Sequence, residues 1–203
     1  MVYLYKTYHS SVLRSPETLA YDPWLHSIKE IQKYEKNLEA KSHELCLTPI
    51  FPHLIDELWK DRPSPPAAAD SPLQVHPLIY AWQNSAEKRK NLAAAIDPAL
   101  MTVLTRGDSI AWLLNIRGQD IPFTPIPQAY AICHTSAKEN RSPRVDVFID
   151  LQKVTPKITQ HVGEDLSFFP LSTSREQLSR QSAGKKISID LSHTPAAICS
   201  LLP

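Results

Sequence analysis

The sequence predicts an α/β fold in which a sheet is flanked by helices, preceded by a helical segment and a proline-rich linker. From residue 84 onward, stretches with the spacing of amphipathic helices alternate with short apolar stretches typical of strands. Of the 203 residues, 42% are hydrophobic and 21% are charged, so a packed core is expected. The 18 prolines and 4 glycines favour rigid turns and argue against a glycine-rich phosphate loop.

The N-terminal part predicts one amphipathic helix and little else that is regular. Residues 1–25 show no clear period. After Ser27, a plausible N-cap, apolar residues recur at three- and four-residue spacing: Ile28, Ile31, Tyr34 and Leu38. "ELCLTPI" (44–50) then predicts a short strand ended by Pro49, and "HLIDELW" (53–59) predicts two helical turns.

The stretch "DRPSPPAAADSPLQVHP" (61–77) contains five prolines. Proline has no backbone N–H to donate to a neighbouring strand, and it restricts the residue before it. We therefore expect an extended connector here, with the domain boundary inside it.

The second half predicts helices and strands in alternation. The expected helices are 84–96, 108–116, 155–162, 174–181 and 194–202. The expected strands are 100–105, 129–133, 144–150, 166–171 and 185–191. Asn84 and Asp108 are the expected N-caps of the first two helices, and Gly118 is the expected stop of the second.

Composition excludes several classes of function. The formal net charge of +1 gives no electrostatic basis for binding nucleic acid or an anionic membrane. No apolar stretch approaches the roughly 20 residues of a membrane-spanning helix, and the first residues do not resemble a secretory signal. Cys46, Cys133 and Cys199 are scattered, which favours a reduced, cytoplasmic setting.

The residues indicate no metal centre and no nucleophile. None of the eight histidines forms an HxH, HExxH or helical i, i+4 pair with another histidine. Cys133 and His134 are neighbours on a predicted strand, where their side chains point to opposite faces. Cys133 is therefore expected to be a buried structural residue.

One stretch, "DSIAWLLNIRGQDIP" (108–122), contains the candidate site. Arg117 follows an apolar helix and has a planar, permanently charged group suited to a carboxylate or a carbonyl. The alternative is a structural ion pair of Arg117 with Asp120 or another acid. Trp112 is either a core residue or a platform for a ligand. The residues alone thus indicate a soluble α/β domain with one suggestive Arg-Gly loop.

A longer stretch, "DSIAWLLNIRGQDIPFTPIPQAYAI" (108–132), closely resembles the middle domain of cytosolic-type Xaa-Pro aminopeptidases, a domain similar to the creatinase N-terminal domain. Other resemblances follow the family order, so that about residues 17–203 are covered. They are "YDPWLHS" (21–27), "LIDELWKDRPSPP" (54–66), "HPLIYAWQNSAEKR" (76–89) and "IDLSHTPAAI" (189–198).

The resemblance implies a mixed sheet flanked by helices and a specific division of the chain. Residues 1–60 would be the end of a first domain, 61–77 the linker, and 78–203 the second domain. In this family, two Asp, one His and two Glu of a C-terminal pita-bread domain hold two metal ions, usually manganese, for hydrolysis of Xaa-Pro bonds. No residue here matches those ligands, so we expect no metal site in this chain and no catalysis by it alone.

The resemblance also implies a role beside the catalytic domain. The family's N-terminal domains shape the groove for peptides with Pro in second position, and they form the homodimer. Arg117, Asp120 and Trp112 are then the candidate substrate-binding residues, on a chain that looks cut at both ends. A freestanding peptide-binding or dimerisation module and a nonfunctional remnant are the alternatives.

Three departures from the family pattern stand out. His53 replaces the usual linker Asn, and Arg106-Gly107 replaces a common Leu-x-Asp or Pro-Asp entry. "YAWQNS" (80–85) replaces a typical Tyr-x-Gly-x-Ser. The missing glycine is expected to disturb a tight turn.

Overall fold

A computed structural model describes residues 18–40, 46–51, 54–61, 71–96, 101–135 and 142–202 of the chain. Strand β1 (Thr18–Tyr21) pairs in parallel with β2 (Cys46–Pro49), with Thr18 opposite Cys46. Strand β2 confirms the prediction, whereas β1 lies in a region predicted to be irregular. The chain forms β1 because a strand distant in sequence provides its hydrogen bonds, and no local pattern reports such pairing.

Helix α1 (Ile28–Ala40) connects these two strands and begins as predicted. The Ser27 hydroxyl accepts a hydrogen bond from the Glu30 N–H at 3.3 Å, and the Glu30 carboxylate accepts one from the Ser27 N–H at 2.9 Å. This reciprocal capping box satisfies two N–H groups at the helix start. A further predicted helix follows as α2 (Leu54–Leu58), and His53 lies outside the described residues.

The described end of the predicted connector, residues 71–77, is tied by hydrogen bonds to the part of the chain that follows it. Strand β3 (Gln74–Val75) pairs antiparallel with β5 (Ile116–Arg117). Leu73 is buried, and its N–H donates to the carbonyl of Lys153 at 2.9 Å. Residues 71–77 are therefore held by hydrogen bonds and burial.

The predicted elements of the second half all form. The remaining helices are α3 (Leu78–Ala81), α4 (Ser85–Ile96), α5 (Gly107–Leu114), α6 (Pro156–Val162), α7 (Ser174–Ser182) and α8 (Ala196–Cys199). The remaining strands are β4 (Met101–Leu104), β6 (Tyr130–His134), β7 (Val145–Ile149), β8 (Leu166–Pro170) and β9 (Ile187–Ile189). Two short 3-10 turns are Leu151–Lys153 and Leu171–Thr173.

Five strands form one mixed sheet in the order β8-β7-β6-β4-β9. Strand β6 runs antiparallel to both of its neighbours, while the outer pairs β7–β8 and β4–β9 are parallel. Helices α5 and α6 contribute to the buried cluster on one face of the sheet, and α7 and α8 contribute to a second cluster. The predicted mixed sheet flanked by helices is confirmed. None of the helices in the described ranges is long and apolar enough to cross a bilayer.

The N-terminal segment packs against the last described part of the chain. The N–H of Ile28 donates to the carbonyl of Thr194 at 3.0 Å, and the N–H of Ala196 donates to the carbonyl of His26 at 2.8 Å. The Arg175 guanidinium lies 5.0 Å from the ring of Trp24 and 5.5 Å from that of Phe51. Hydrogen bonds and cation–π contacts therefore connect sequence regions on both sides of the predicted linker.

Candidate functional site

Helix α5 carries Trp112 and begins one residue earlier than predicted. Its N-cap is Arg106, with extended backbone angles, so the predicted N-cap at Asp108 is wrong and Asp108 lies in the first turn. The Asp108 carboxylate accepts a hydrogen bond from the Ser109 N–H at 2.7 Å and pairs with Arg106. A Cβ at Gly107 would lie 2.2 Å from the Pro127 carbonyl oxygen. The absence of a side chain at Gly107 thus lets the helix start against that carbonyl.

The helix ends at Leu114, so the predicted stop at Gly118 is wrong. Asn115 adopts a left-handed conformation, with φ of 53°. Asn tolerates this region better than most residues, and here its amide nitrogen also donates to the carbonyl of Gln83 at 2.9 Å. Gly118 has a packing role instead, because a Cβ there would lie 2.6 Å from the backbone of Pro127.

A buried cation lies at the C-terminal end of α5. The Lys88 ammonium donates to the Trp112 carbonyl at 2.9 Å and to Asn115 Oδ1 at 2.7 Å, and Lys88 is only 3% exposed. It also lies 4.4 Å from the Trp112 ring centroid. Burial, and to a lesser degree the nearby Arg117, lower the pKa of Lys88. The lysine satisfies helix-end oxygens where the helix dipole favours positive charge.

Arg117 lies half-buried on β5, beside the same helix end. Its Nη1 donates to the Ile116 carbonyl at 2.8 Å and, at 3.4 Å, to the Ala111 carbonyl. Among the residues that the structure describes, Nε and Nη2 have no acceptor. Two sides of the guanidinium thus retain donors that could bind a carboxylate.

Asp120 has partners within the chain and does not pair with Arg117. Its carboxylate is 2.5 Å from the Lys153 ammonium and accepts from the Ser71 hydroxyl at 3.2 Å and the Gln128 N–H at 2.6 Å. The Asp120 side chain is 4% exposed. Through these contacts the Asp120 carboxylate anchors the loop that follows Arg117. The same loop contains the exposed Phe123, whose φ is 61°. The predicted contact of Asp120 with substrate stays a prediction.

Trp112 belongs to an exposed aromatic surface that the sequence reasoning missed. Trp112 is 56% exposed, and Tyr80 and Trp82 of the preceding segment are 75% and 96% exposed. The Gln83–Asn115 hydrogen bond joins that segment to the end of α5, and the ring of His76 lies 6.1 Å from that of Tyr80. We call this group of exposed and half-buried residues the Trp112 surface; its members are His76, Tyr80, Trp82, Trp112 and Arg117.

Trp82 occupies the tight turn where the missing glycine was noted. Its φ is 61° and its ψ is −43°, and the Gln83 N–H donates to the Ala81 carbonyl at 2.7 Å. This is a γ-turn with a positive central φ, a rare and strained conformation for a residue with a side chain. The turn therefore forms despite the departure from the family pattern. The glycine-to-tryptophan departure was the signal that could have identified the surface.

A buried charged cluster on the central strands was also missed. Asp146 of β7 is fully buried; its carboxylate lies 3.2 Å from His134 Nε2 and 2.7 Å from the Arg144 guanidinium. Burial alone would raise the pKa of Asp146, but hydrogen bonds from His134 and Arg144 outweigh it, so the pKa is lowered. All five residues of β7 are buried, so this strand, predicted at 144–150, has no exposed face.

A second polar cluster lies where the parallel strands β4 and β9 end. The Arg106 guanidinium lies 3.1 Å from His193 Nε2, and His193 Nδ1 lies 2.7 Å from the Asp190 carboxylate. Hydrogen bonds from His193 and Ser192 lower the pKa of Asp190. All three side chains of the cluster are exposed, so it is a surface network at the sheet edge.

The described residues do not supply a metal centre. No group of three or more His, Cys, Asp or Glu side chains within the described ranges could hold a metal ion. Cys133 is buried in β6 as expected, and burial raises the pKa of its thiol to about 12. A thiol with that pKa forms almost no thiolate at neutral pH, which argues against a nucleophilic role.

Comparison with known proteins shows that the chain is similar to part of several peptidases. A family model described as "Creatinase/Prolidase N-terminal domain" matches residues 61–203. Aminopeptidase P1 of Lotus japonicus is 30% identical over 161 residues, which cover 78% of this chain and 23% of the relative. A probable Xaa-Pro aminopeptidase P of Aspergillus niger is 35% identical over 133 residues, which cover 64% of this chain and 20% of the relative.

A solved structure gives the same relationship. It is that of an X-prolyl aminopeptidase from Caenorhabditis elegans, described as a cytosolic enzyme with a di-nuclear active site. The match has a TM-score of 0.82 and 25% sequence identity, and it covers 97% of this chain and 31% of that one. The chain thus spans between about a fifth and a third of the length of these relatives. The described residues lack a donor set for two metal ions.

Proposed function

Because the chain belongs to the creatinase/prolidase N-terminal domain family, we propose that it forms the non-catalytic N-terminal part of an Xaa-Pro aminopeptidase. Such an enzyme releases the N-terminal residue from peptides with Pro in second position, by metal-dependent hydrolysis. We expect a pair of manganese ions in the rest of that enzyme, and a cytoplasmic location. This part would shape the peptide groove and support a homodimer.

The similarity to the Caenorhabditis elegans enzyme carries this proposal, since almost the whole chain superposes on less than a third of a di-nuclear peptidase. The geometry of the described residues supports a non-catalytic role, because they gather no metal ligands. The buried Cys133 offers no alternative nucleophile. The chain does provide a loop that is anchored by the Asp120–Lys153 ion pair. Near it lie the Arg117 guanidinium, which keeps unused donors, and the exposed indole of Trp112.

Hydrolysis of an Xaa-Pro peptide tests the proposal directly. The purified chain with added manganese should give no turnover above a chelated control. We also expect activity from a chimera, in which residues 61–203 of this chain replace the matching segment of the Lotus japonicus aminopeptidase. Metal-dependent turnover by the chain alone would contradict the non-catalytic role, and a folded but inactive chimera would contradict the assignment to this enzyme.

The same chimera tests the contribution of Arg117 to the groove. An Arg117→Ala change should raise KM for the peptide, because a guanidinium bound to a substrate carbonyl or carboxylate contributes about 1.5–3 kcal/mol. The matched control is Arg180→Ala, since Arg180 lies on α7, which packs on the other buried cluster of the sheet. Unchanged KM and kcat in the Arg117 variant would remove this residue from the groove.

A further inference from the structure

The Trp112 surface exposes an unusual amount of aromatic area for one small region. Tyr80, Trp82 and Trp112 all present most of their side-chain surface to solvent. The neighbouring Leu78 and Ile79 are exposed as well. Isolated exposed apolar residues are normal, but contiguous patches that are rimmed by polar groups mark interaction sites.

Two cations, Lys88 and Arg117, lie near the His76 ring at this surface. His76, Lys88 and Arg117 lie close enough for Arg117 and Lys88 to lower the pKa of His76, after the larger effect of burial. No Asp or Glu in the described ranges forms an ion pair with any of these three. Lys88 is buried and donates two hydrogen bonds to neutral oxygens at the end of α5, so no carboxylate compensates its charge.

Backbone strain occurs at the most exposed ring of the surface. Trp82 holds a positive φ in its γ-turn although its indole gains nothing from packing within the chain. Strained conformations persist where surrounding structure enforces them, and they cluster at binding sites. Here the Asn115 amide donates to the carbonyl of the following residue, Gln83, which helps to hold the backbone of the turn.

We propose that the Trp112 surface binds a polypeptide segment of a partner that carries a carboxylate flanked by apolar side chains. The carboxylate would accept hydrogen bonds from Nε and Nη2 of Arg117, and the apolar side chains would pack on Trp82 and Trp112. Charge complementarity selects this occupant, because a second copy in a two-fold contact would place like cations together. The proposal goes beyond the function proposed above, since it requires no catalytic domain; in an assembled enzyme the partner segment and the substrate would compete for Arg117.

Two blocked peptides test it on the full chain. The probes are acetyl-Leu-Asp-Leu-amide and acetyl-Leu-Asn-Leu-amide, which differ only in the carboxylate. Binding is followed by the indole N–H resonances of Trp82 and Trp112 in an isotope-labelled sample, assigned with Trp82→Phe and Trp112→Phe. The Asp peptide should give saturable shifts of both resonances, with an affinity about tenfold higher than that of the Asn peptide.

Variants distinguish a specific binding site from a surface that binds peptides nonspecifically. Arg117→Gln should bring the two affinities together, while Arg180→Gln should leave the preference intact; the dispersion of the amide spectrum verifies that each variant is folded. Absence of saturable shifts with the Asp peptide, equal affinities in the unmodified chain, or a preference that survives Arg117→Gln would each overturn the proposal. Sedimentation equilibrium adds another outcome: a dimer abolished by Trp82→Ala would assign the surface to a second copy and also overturn it.

Discussion

The ammonium of Lys88 donates to the main-chain carbonyl of Trp112 and lies 4.4 Å from the centroid of the same residue's ring. Helix α4 thereby supplies the cation at the C-terminal end of α5. The contact is possible because Asn115 turns the chain left-handed and adds its side-chain oxygen as a second acceptor. A buried lysine is tolerated when its donors are satisfied, since the desolvation cost is then partly offset.

This relationship predicts the cost of removing the ammonium. Lys88→Met keeps most of the apolar stem but leaves buried oxygens of Trp112 and Asn115 without their donor. We expect the free energy of unfolding to fall by about 1–3 kcal/mol. Urea denaturation followed by circular dichroism measures it, with Lys90→Met, an exposed lysine of the same helix, as control. Equal stabilities of the two variants would show that the Lys88 hydrogen bonds contribute nothing.

The ion pair of Asp120 with Lys153 predicts a larger loss. Asp120→Ala leaves the ammonium of Lys153 and the N–H of Gln128 without their acceptor, in a site that is almost fully buried. Breaking a buried pair from one side costs about 3–5 kcal/mol. Gln119→Ala, at an exposed position one residue earlier, should change stability by less than about 0.5 kcal/mol. If Asp120→Ala destabilised the protein no more than Gln119→Ala does, the ion pair would contribute nothing measurable to stability.

The lowered pKa of Asp146 predicts a loss of stability in acid. The folded pKa lies below the unfolded value of about 3.9, so the stabilising contribution is complete above that value and is lost as pH falls through the folded pKa. Arg144→Gln removes one cause of the low pKa, and we expect the variant to lose less stability between neutral and acidic pH. Urea denaturation at several pH values measures this, with Arg180→Gln as a charge-matched control. An unchanged pH dependence in the Arg144 variant would contradict it.

The strained turn at Trp82 predicts that a glycine stabilises the protein. Trp82→Gly removes the side chain that disfavours positive φ, and we expect a gain of about 1 kcal/mol. Trp82→Ala also removes the indole but keeps a Cβ, so it should give no such gain. Thermal unfolding of both variants decides the matter. A gain of equal size in the alanine variant would attribute the effect to the exposed indole rather than to the backbone.

Burial predicts which thiols react. Cys46 and Cys199 are exposed, whereas Cys133 is buried with a pKa raised to about 12. A thiol reagent at pH near 8 should therefore modify the first two rapidly in the folded protein and the third only after denaturation. Cys133→Ser provides the control, since its rapidly reacting fraction should be unchanged. Rapid modification of Cys133 in the native protein would show that β6 opens readily.

Local sequence patterns were sufficient to predict the structure wherever the determining interactions join residues that are close in sequence. The N-cap at Ser27 and the helix predicted over 155–162 both formed as expected. The motif at 108–132 identified the family, because specific residues in a fixed order are rarely shared by chance. The candidate residues Arg117 and Trp112 both lie at the end of α5, where Arg117 donates to the Ala111 carbonyl and the Lys88 ammonium lies over the Trp112 ring.

Contacts between distant residues decided the rest. Strand β1 depends on pairing with β2, and the start and end of α5 depend on Pro127 and on Lys88. The partner of Asp120 is Lys153 rather than the nearby Arg117, which sequence proximity had suggested. The sequence by itself determined the fold class and most of the longer elements, because periodicity and caps are local. Only the tertiary structure decided which charges are buried, which are paired and which aromatic rings stay in solvent, because burial and pairing depend on residues brought together from across the chain.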